Sequence, residues 1–136
     1  MCPHLFVYGT LRRGFENPFA RTLADQAEFI GPATAGGRIY AVAPHYPGLV
    51  LSEDPNDRAA GEVFRMHDPA ALLRLLDDYE GCGPLSAKPY EFERALTVAV
   101  LDAGGKIEVW AYLYRRPVDA DTLLISGATA AARVSE

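Results

Sequence analysis

The chain has 136 residues, 49% of them hydrophobic and 23% charged, with a net charge of −5. A chain of this size fits one domain that buries about two-thirds of its unfolded surface, and the acidic balance excludes nucleic acid as a main partner. No apolar run reaches membrane-spanning length, and His4 interrupts the only leader-like stretch, so no membrane partner is expected and the cytoplasm is the predicted location.

In chain order, residues 4–8 read as a buried strand, rich in Phe6, Val7 and Tyr8, that breaks at Gly9. Residues 18–26 form a short helix with Asn17 as N-cap and Pro18 at its first position. Residues 29–32 and 37–42 are extended, joined through Gly36-Gly37. Tyr46-Pro47-Gly48 is a turn leading into an extended segment at 49–52. Residues 53–58 are a polar loop and 61–66 alternate as a strand.

Residues 68–80 give the clearest helix. Asp68 caps it, Pro69 opens it, Leu72, Leu73, Leu76 and Tyr79 make one apolar stripe, and Gly81 stops it. Two strands follow at 94–101 and 106–114, joined by the Gly-bearing hairpin turn Asp102-Ala103-Gly104-Gly105. Ile107, Val109, Ala111 and Leu113 alternate with Glu108, Trp110, Tyr112 and Tyr114, so this last strand is covered on both faces, as in a small barrel packed against helices. Residues 119–136 read as a poorly defined tail, partly disordered or weakly helical. The expectation is one α+β domain over 1–136, with about six short strands and two helices.

Cys2 and Cys82 are too few for a disulfide framework. His4, His45 and His67 stand singly and no spacing resembles a zinc site, so no metal is expected.

Two places carry candidate chemistry. After the first strand, Tyr8-Gly9-Thr10-Leu11-Arg12-Arg13 places a glycine, free to adopt positive φ, ahead of successive N–H groups that can cradle an anion. The same residues also fit a plain turn followed by two solvated arginines. The second place is the end of the central helix, Leu76-Asp77-Asp78-Tyr79-Glu80-Gly81. A helix C-terminus carries partial negative charge, so each acid there costs ~0.3–1 kcal/mol. Asp77 and Asp78 read as solvated acids. Glu80 projects from the end, and in a cavity the helix dipole, the neighbouring acids and desolvation all push its pKa upward, toward the range that a general acid or base needs.

These segments together resemble the gamma-glutamylcyclotransferase superfamily, in particular its gamma-glutamylamine cyclotransferase-like (avirulence-induced-gene-like) branch. The matching stretches are Tyr8-Gly9-Thr10-Leu11, Tyr46-Pro47-Gly48-Leu49, Gly61-Glu62-Val63-Phe64, Leu76 to Gly81, and Arg94 with Val98, in register over residues 5–115. The resemblance implies a small mixed β-barrel of about six strands flanked by helices. It implies a cavity floored by the loop at Tyr8, Gly9, Thr10 and Leu11, with Arg12 and Arg13 just beyond, that binds a small-molecule γ-glutamyl substrate. It also implies Glu80 as the catalytic acid–base and a reaction that releases 5-oxoproline and a free amine, with no cofactor.

The sequence departs from the family pattern at three points. Cys82 stands where an aromatic commonly follows the Glu-Gly pair, Phe92 where a tyrosine is usual two before Arg94, and Ala128 where an acid is frequent after Gly127. These bear on the amine side of the substrate. They also keep open a non-catalytic small-molecule binding domain of the same fold, and release of a γ-glutamyl protecting group from a biosynthetic intermediate. A nucleophilic role for Cys82 would need a base and an electropositive setting, and its surroundings are acidic.

Overall fold

The structure, a computed structural model, describes residues 1–8, 18–43, 46–80, 82, 91–115 and 123–124. Strand β1 (His4–Val7) is followed by helix α1 (Pro18–Gln26), β2 (Ala27–Ala43), β3 (Tyr46–Leu51), β4 (Arg58–Met66), α2 (Pro69–Tyr79), β5 (Phe92–Leu101), β6 (Lys106–Tyr114) and the short β7 (Leu123–Leu124). All the strands share one sheet, in the order β1-β4-β2-β3-β6-β5, with β7 against β2.

The sheet closes on itself. Most pairs are antiparallel, but β6 runs parallel to both β3, at Leu49↔Leu113, and β1, at Leu5↔Trp110. These two contacts complete a mixed barrel, the architecture expected from the sequence, with α1 and α2 packed outside it. Strand β5 pairs with β6 along its length and meets β2 at Ala33–Ala35.

Alternation along the strands sorts side chains between two cores. Phe6, Ile39, Leu49, Val63, Val109, Ala111 and Leu113 fill the barrel. Leu5, Val7, Phe64, Met66 and Tyr112 face the helices, where they meet Leu23, Leu72, Leu73 and Leu76. Both faces of β6 are therefore covered. Tyr79, assigned to the apolar stripe of α2, is 40% exposed, because the stripe drifts off the barrel as the helix ends.

Three expectations are corrected. The two extended segments on either side of Gly36-Gly37 are one continuous strand, β2. The glycine serves close approach here: a Cβ on Gly37 would lie 2.6 Å from the Val50 carbonyl of β3. Tyr46-Pro47-Gly48 is not a turn but the start of β3, with Pro47 opposite Ala41 where the register shifts between Ala41 and Ala43. Proline lacks a ladder donor and is tolerated at such an irregularity. In the expected helical or disordered tail, Leu123–Leu124 instead pair with Tyr40 and Ala41. Asn17, Gly81 and the rest of the tail lie outside the described residues.

Gly61 sets how closely β4 approaches the end of β1. A Cβ there would lie 2.6 Å from Cζ of Phe6 and closer still to the Val7 carbonyl. Glycine lets β4 press against the end of β1, from which the candidate loop departs. The 102–105 hairpin turn is as expected, with Gly104 and Gly105 at φ of 112° and 100°.

Candidate functional site

Helix α2 carries the candidate acid to the site. Asp68 caps its start by accepting from the Ala71 N–H at 3.3 Å, with Pro69 at the first turn. Leu72, Leu73 and Leu76 then fasten it to the barrel. At its other end Glu80 is the C-cap, with φ −83° and ψ −2° and its N–H donated to the Leu76 carbonyl at 2.8 Å. The backbone direction is thus set one turn after a fully buried leucine. Burial of the Glu80 carboxyl pushes its pKa up to about 7. Burial, one of the influences expected from the sequence, is the cause of this rise.

Tyr8, just past the end of β1 and the last described residue before the candidate loop, packs against the barrel core. Its hydroxyl donates to the Tyr112 carbonyl of β6 and accepts from the Leu49 N–H of β3 at 3.0 Å. Tyr8 thus braces three strands at one end of the barrel. Burial raises its ionisation far above the ordinary phenol range, and the Glu80 charge adds to that rise, so the two side chains sense one another. Gly9, Thr10, Leu11, Arg12 and Arg13 lie outside the described residues.

Asp77 is not the solvated acid expected from its position. Arg94 of β5 holds it in a two-point grip, Nε to Oδ1 at 2.8 Å and a terminal guanidinium nitrogen to Oδ2 at 3.1 Å. The Tyr112 hydroxyl donates to Oδ1 at 2.7 Å. Arg94 and Tyr112 are register partners across the β5–β6 ladder, so the hairpin presents cation and phenol side by side. The guanidinium also lies over the Trp110 ring, 4.4 Å from its centroid, and Trp110 Nε1 donates to the Cys2 carbonyl at 3.0 Å. This grouping was missed in the sequence. The signal available was the last turn itself: acids with no local cation imply a cation brought from elsewhere. Asp78 is exposed, as expected.

Burial, with Asp77 nearby, pushes the Cys82 thiol up to about 11, so it is a thiol rather than a thiolate at neutral pH. Phe92 is buried and packs edge-on against Tyr114, with ring centroids 5.5 Å apart. Among the described residues no group of three or more His, Cys, Asp or Glu side chains is arranged to hold a metal ion. Nor, among them, is any helix long and apolar enough to cross a membrane. Ala128 lies outside the described residues.

A closed, small mixed barrel with two helices packed outside it defines a recognisable class of fold. Residues 5–128 match the family described as gamma-glutamyl cyclotransferase, AIG2-like, and the chain belongs to that family. It is 36% identical over 115 residues to gamma-glutamylaminecyclotransferase of Rattus norvegicus, covering 75% of this chain and 69% of that one. It is 32% identical over 114 residues to the gamma-L-glutamyl-butirosin B gamma-glutamyl cyclotransferase of Niallia circulans, covering 84% and 68%. In fold it is similar to the crystal structure of an AIG2-like protein from Mus musculus, with a TM-score of 0.64 and 22% identity, covering 88% and 89%.

Proposed function

We propose that this protein is a γ-glutamyl cyclotransferase that cleaves the γ-amide of a small γ-glutamyl substrate and releases 5-oxoproline and a free amine. The observation that carries the reading is Glu80, whose buried carboxyl has its pKa pushed up to about 7. Membership of the gamma-glutamyl cyclotransferase, AIG2-like family supports it, as do relatives named for this type of reaction.

The substrate's α-amine attacks its own γ-carbonyl. A C–N bond forms to close the five-membered ring, and the C–N bond to the leaving amine breaks. Glu80 takes the proton that the attacking nitrogen loses and returns it to the departing nitrogen, so the reaction balances without water or cofactor. Folding the glutamyl chain into a near-ring supplies proximity, and one carboxyl serving as base and then acid is worth about 10²–10⁴ in rate. The N–H groups of Gly9, Thr10 and Leu11 hold the substrate carboxylate or the tetrahedral oxyanion, with Tyr8 anchoring the loop and Arg12 and Arg13 adding to its preference for anions.

A panel of γ-glutamyl amines and dipeptides, assayed for 5-oxoproline, tests the reading. Turnover of at least one, lost in Glu80→Gln, is the expected result. Binding of 5-oxoproline with no turnover of any of them returns the protein to the class of non-catalytic binding domains. A γ-glutamyl-protected biosynthetic intermediate added to the panel separates a simple amine leaving group from a larger one.

A further inference from the structure

We propose that Tyr112 is a positioning residue shared by both halves of the site: its hydroxyl holds the helix end that carries Glu80, and its main-chain carbonyl holds Tyr8. The inference rests on Glu80 and the Gly9–Leu11 loop acting on one substrate, as argued above.

Two opposing walls of an active site need a common reference, because a misplacement of about 1 Å can cost 10²-fold in rate. Tyr112 provides one. On the helix side its phenol donates to Asp77 Oδ1 at 2.7 Å, three residues before Glu80, and Arg94 holds the same carboxylate from β5. Along its main chain, its carbonyl accepts the Tyr8 hydroxyl, which in turn accepts from the Leu49 N–H. The result is one chain of hydrogen bonds from α2 through β6 to β1 and β3. Tyr112 is 3% exposed and its neighbours on β6 fill the barrel, so its own position is fixed by packing. The titratable groups that face Glu80 along this chain are Tyr8 from β1 and Cys82 beyond α2, with Asp77 on its own helix already paired to Arg94.

The two bonds are separable by substitution. Tyr112→Phe removes the hydroxyl and keeps the carbonyl, whereas Tyr8→Phe breaks the link to that carbonyl and keeps the Asp77 clamp. On the full chain, Tyr112→Phe is expected to lower kcat about tenfold or more with KM within about twofold. Tyr8→Phe is expected to act mainly on KM, by shifting the loop. A second readout does not depend on turnover: carbon NMR of the labelled Glu80 carboxyl. In Tyr112→Phe its titration midpoint is expected to fall from about 7 toward the ordinary carboxylate range as water reaches it. Wild-type kcat and an unmoved midpoint in Tyr112→Phe would overturn the proposal and leave the cyclotransferase reading standing. A fall in kcat that only tracks the folded fraction, with the midpoint unmoved, would overturn it too. A fallen midpoint in a protein inactive on every γ-glutamyl substrate would uphold the positioning and reject the reaction.

Discussion

Asp77 and Glu80 lie three residues apart at one helix end and meet opposite fates. Asp77 is withdrawn from water but fully answered, by a two-point contact with Arg94 and a phenol from Tyr112. Glu80 is withdrawn from water, and burial is what sets its pKa near 7. An acid matched by a cation and a donor is part of the framework. One left with a raised pKa is poised to exchange a proton near neutral pH. The local sequence sets Glu80 apart by its terminal position but does not show that Asp77 is paired; the β5–β6 hairpin does.

The sharpest break of this contrast is at Glu80. Glu80→Gln is expected to reduce 5-oxoproline release about 10²–10⁴-fold, and wild-type kcat/KM is expected to climb with pH through about 7 as the carboxyl ionises. Stability should move the other way. Glu80's pKa is higher folded than unfolded, so the folded protein keeps a proton that the unfolded chain releases, and this favourable term is lost as pH rises from 4.5 to about 7. At pH 8 Glu80→Gln is therefore expected to be more stable than wild type by up to about 3 kcal/mol, with the advantage shrinking toward pH 4.5; urea titrations at several pH values measure it.

At Asp77 the sign reverses. Asp77→Ala leaves the Arg94 guanidinium, 22% exposed, without its carboxylate. A loss of about 2–3 kcal/mol at neutral pH is expected, from unmade hydrogen bonds to a partly buried charge. If Asp77→Ala and Glu80→Gln shift the urea midpoint in the same direction at pH 8, the distinction between the paired acid and the acid with a raised pKa is lost.

Gly61→Ala probes the floor rather than the helix. Phe6 Cζ stands 2.6 Å from the new methyl, so overpacking of about 1–3 kcal/mol is expected, with a rise in KM as the end of β1 is displaced. The smallest effect belongs to Cys82. Its thiol is held at about 11, and Cys82→Ser is expected to change turnover by less than about twofold. Loss of activity on mild alkylation of that cysteine alone would give it a place in the chemistry.

The elements whose signals are local were legible in the sequence. Helix α1 spans Pro18–Gln26 and β6 spans Lys106–Tyr114, the segments that Pro18 and the 106–114 alternation mark out. Helix α2 follows from Asp68 and Pro69 for the same reason. What the sequence hid was non-local. The glycine pair in β2 read as an interruption because its use, admitting the β3 backbone, depends on a neighbour. Tyr46-Pro47-Gly48 carries turn residues, yet a register shift in the opposite strand absorbs the proline. At the candidate site, Glu80 stood out in the sequence because its helix end breaks a rule, and Tyr8 because it closes a strand. Arg94 and Tyr112 were not, since their partnership with Asp77 forms only once β5 and β6 pair beside α2.

Strand β6 touches β1, β3 and β5, and the Tyr8–Tyr112 bond joins residues 104 positions apart. Nearly the whole chain must therefore leave the ribosome before the barrel can shut. Closing so large a loop late makes folding slow compared with a local helical bundle. Until the final hairpin arrives, Glu80 in the growing polypeptide is a hydrated, ordinary carboxylate. Its raised pKa arises in the same step that completes the architecture.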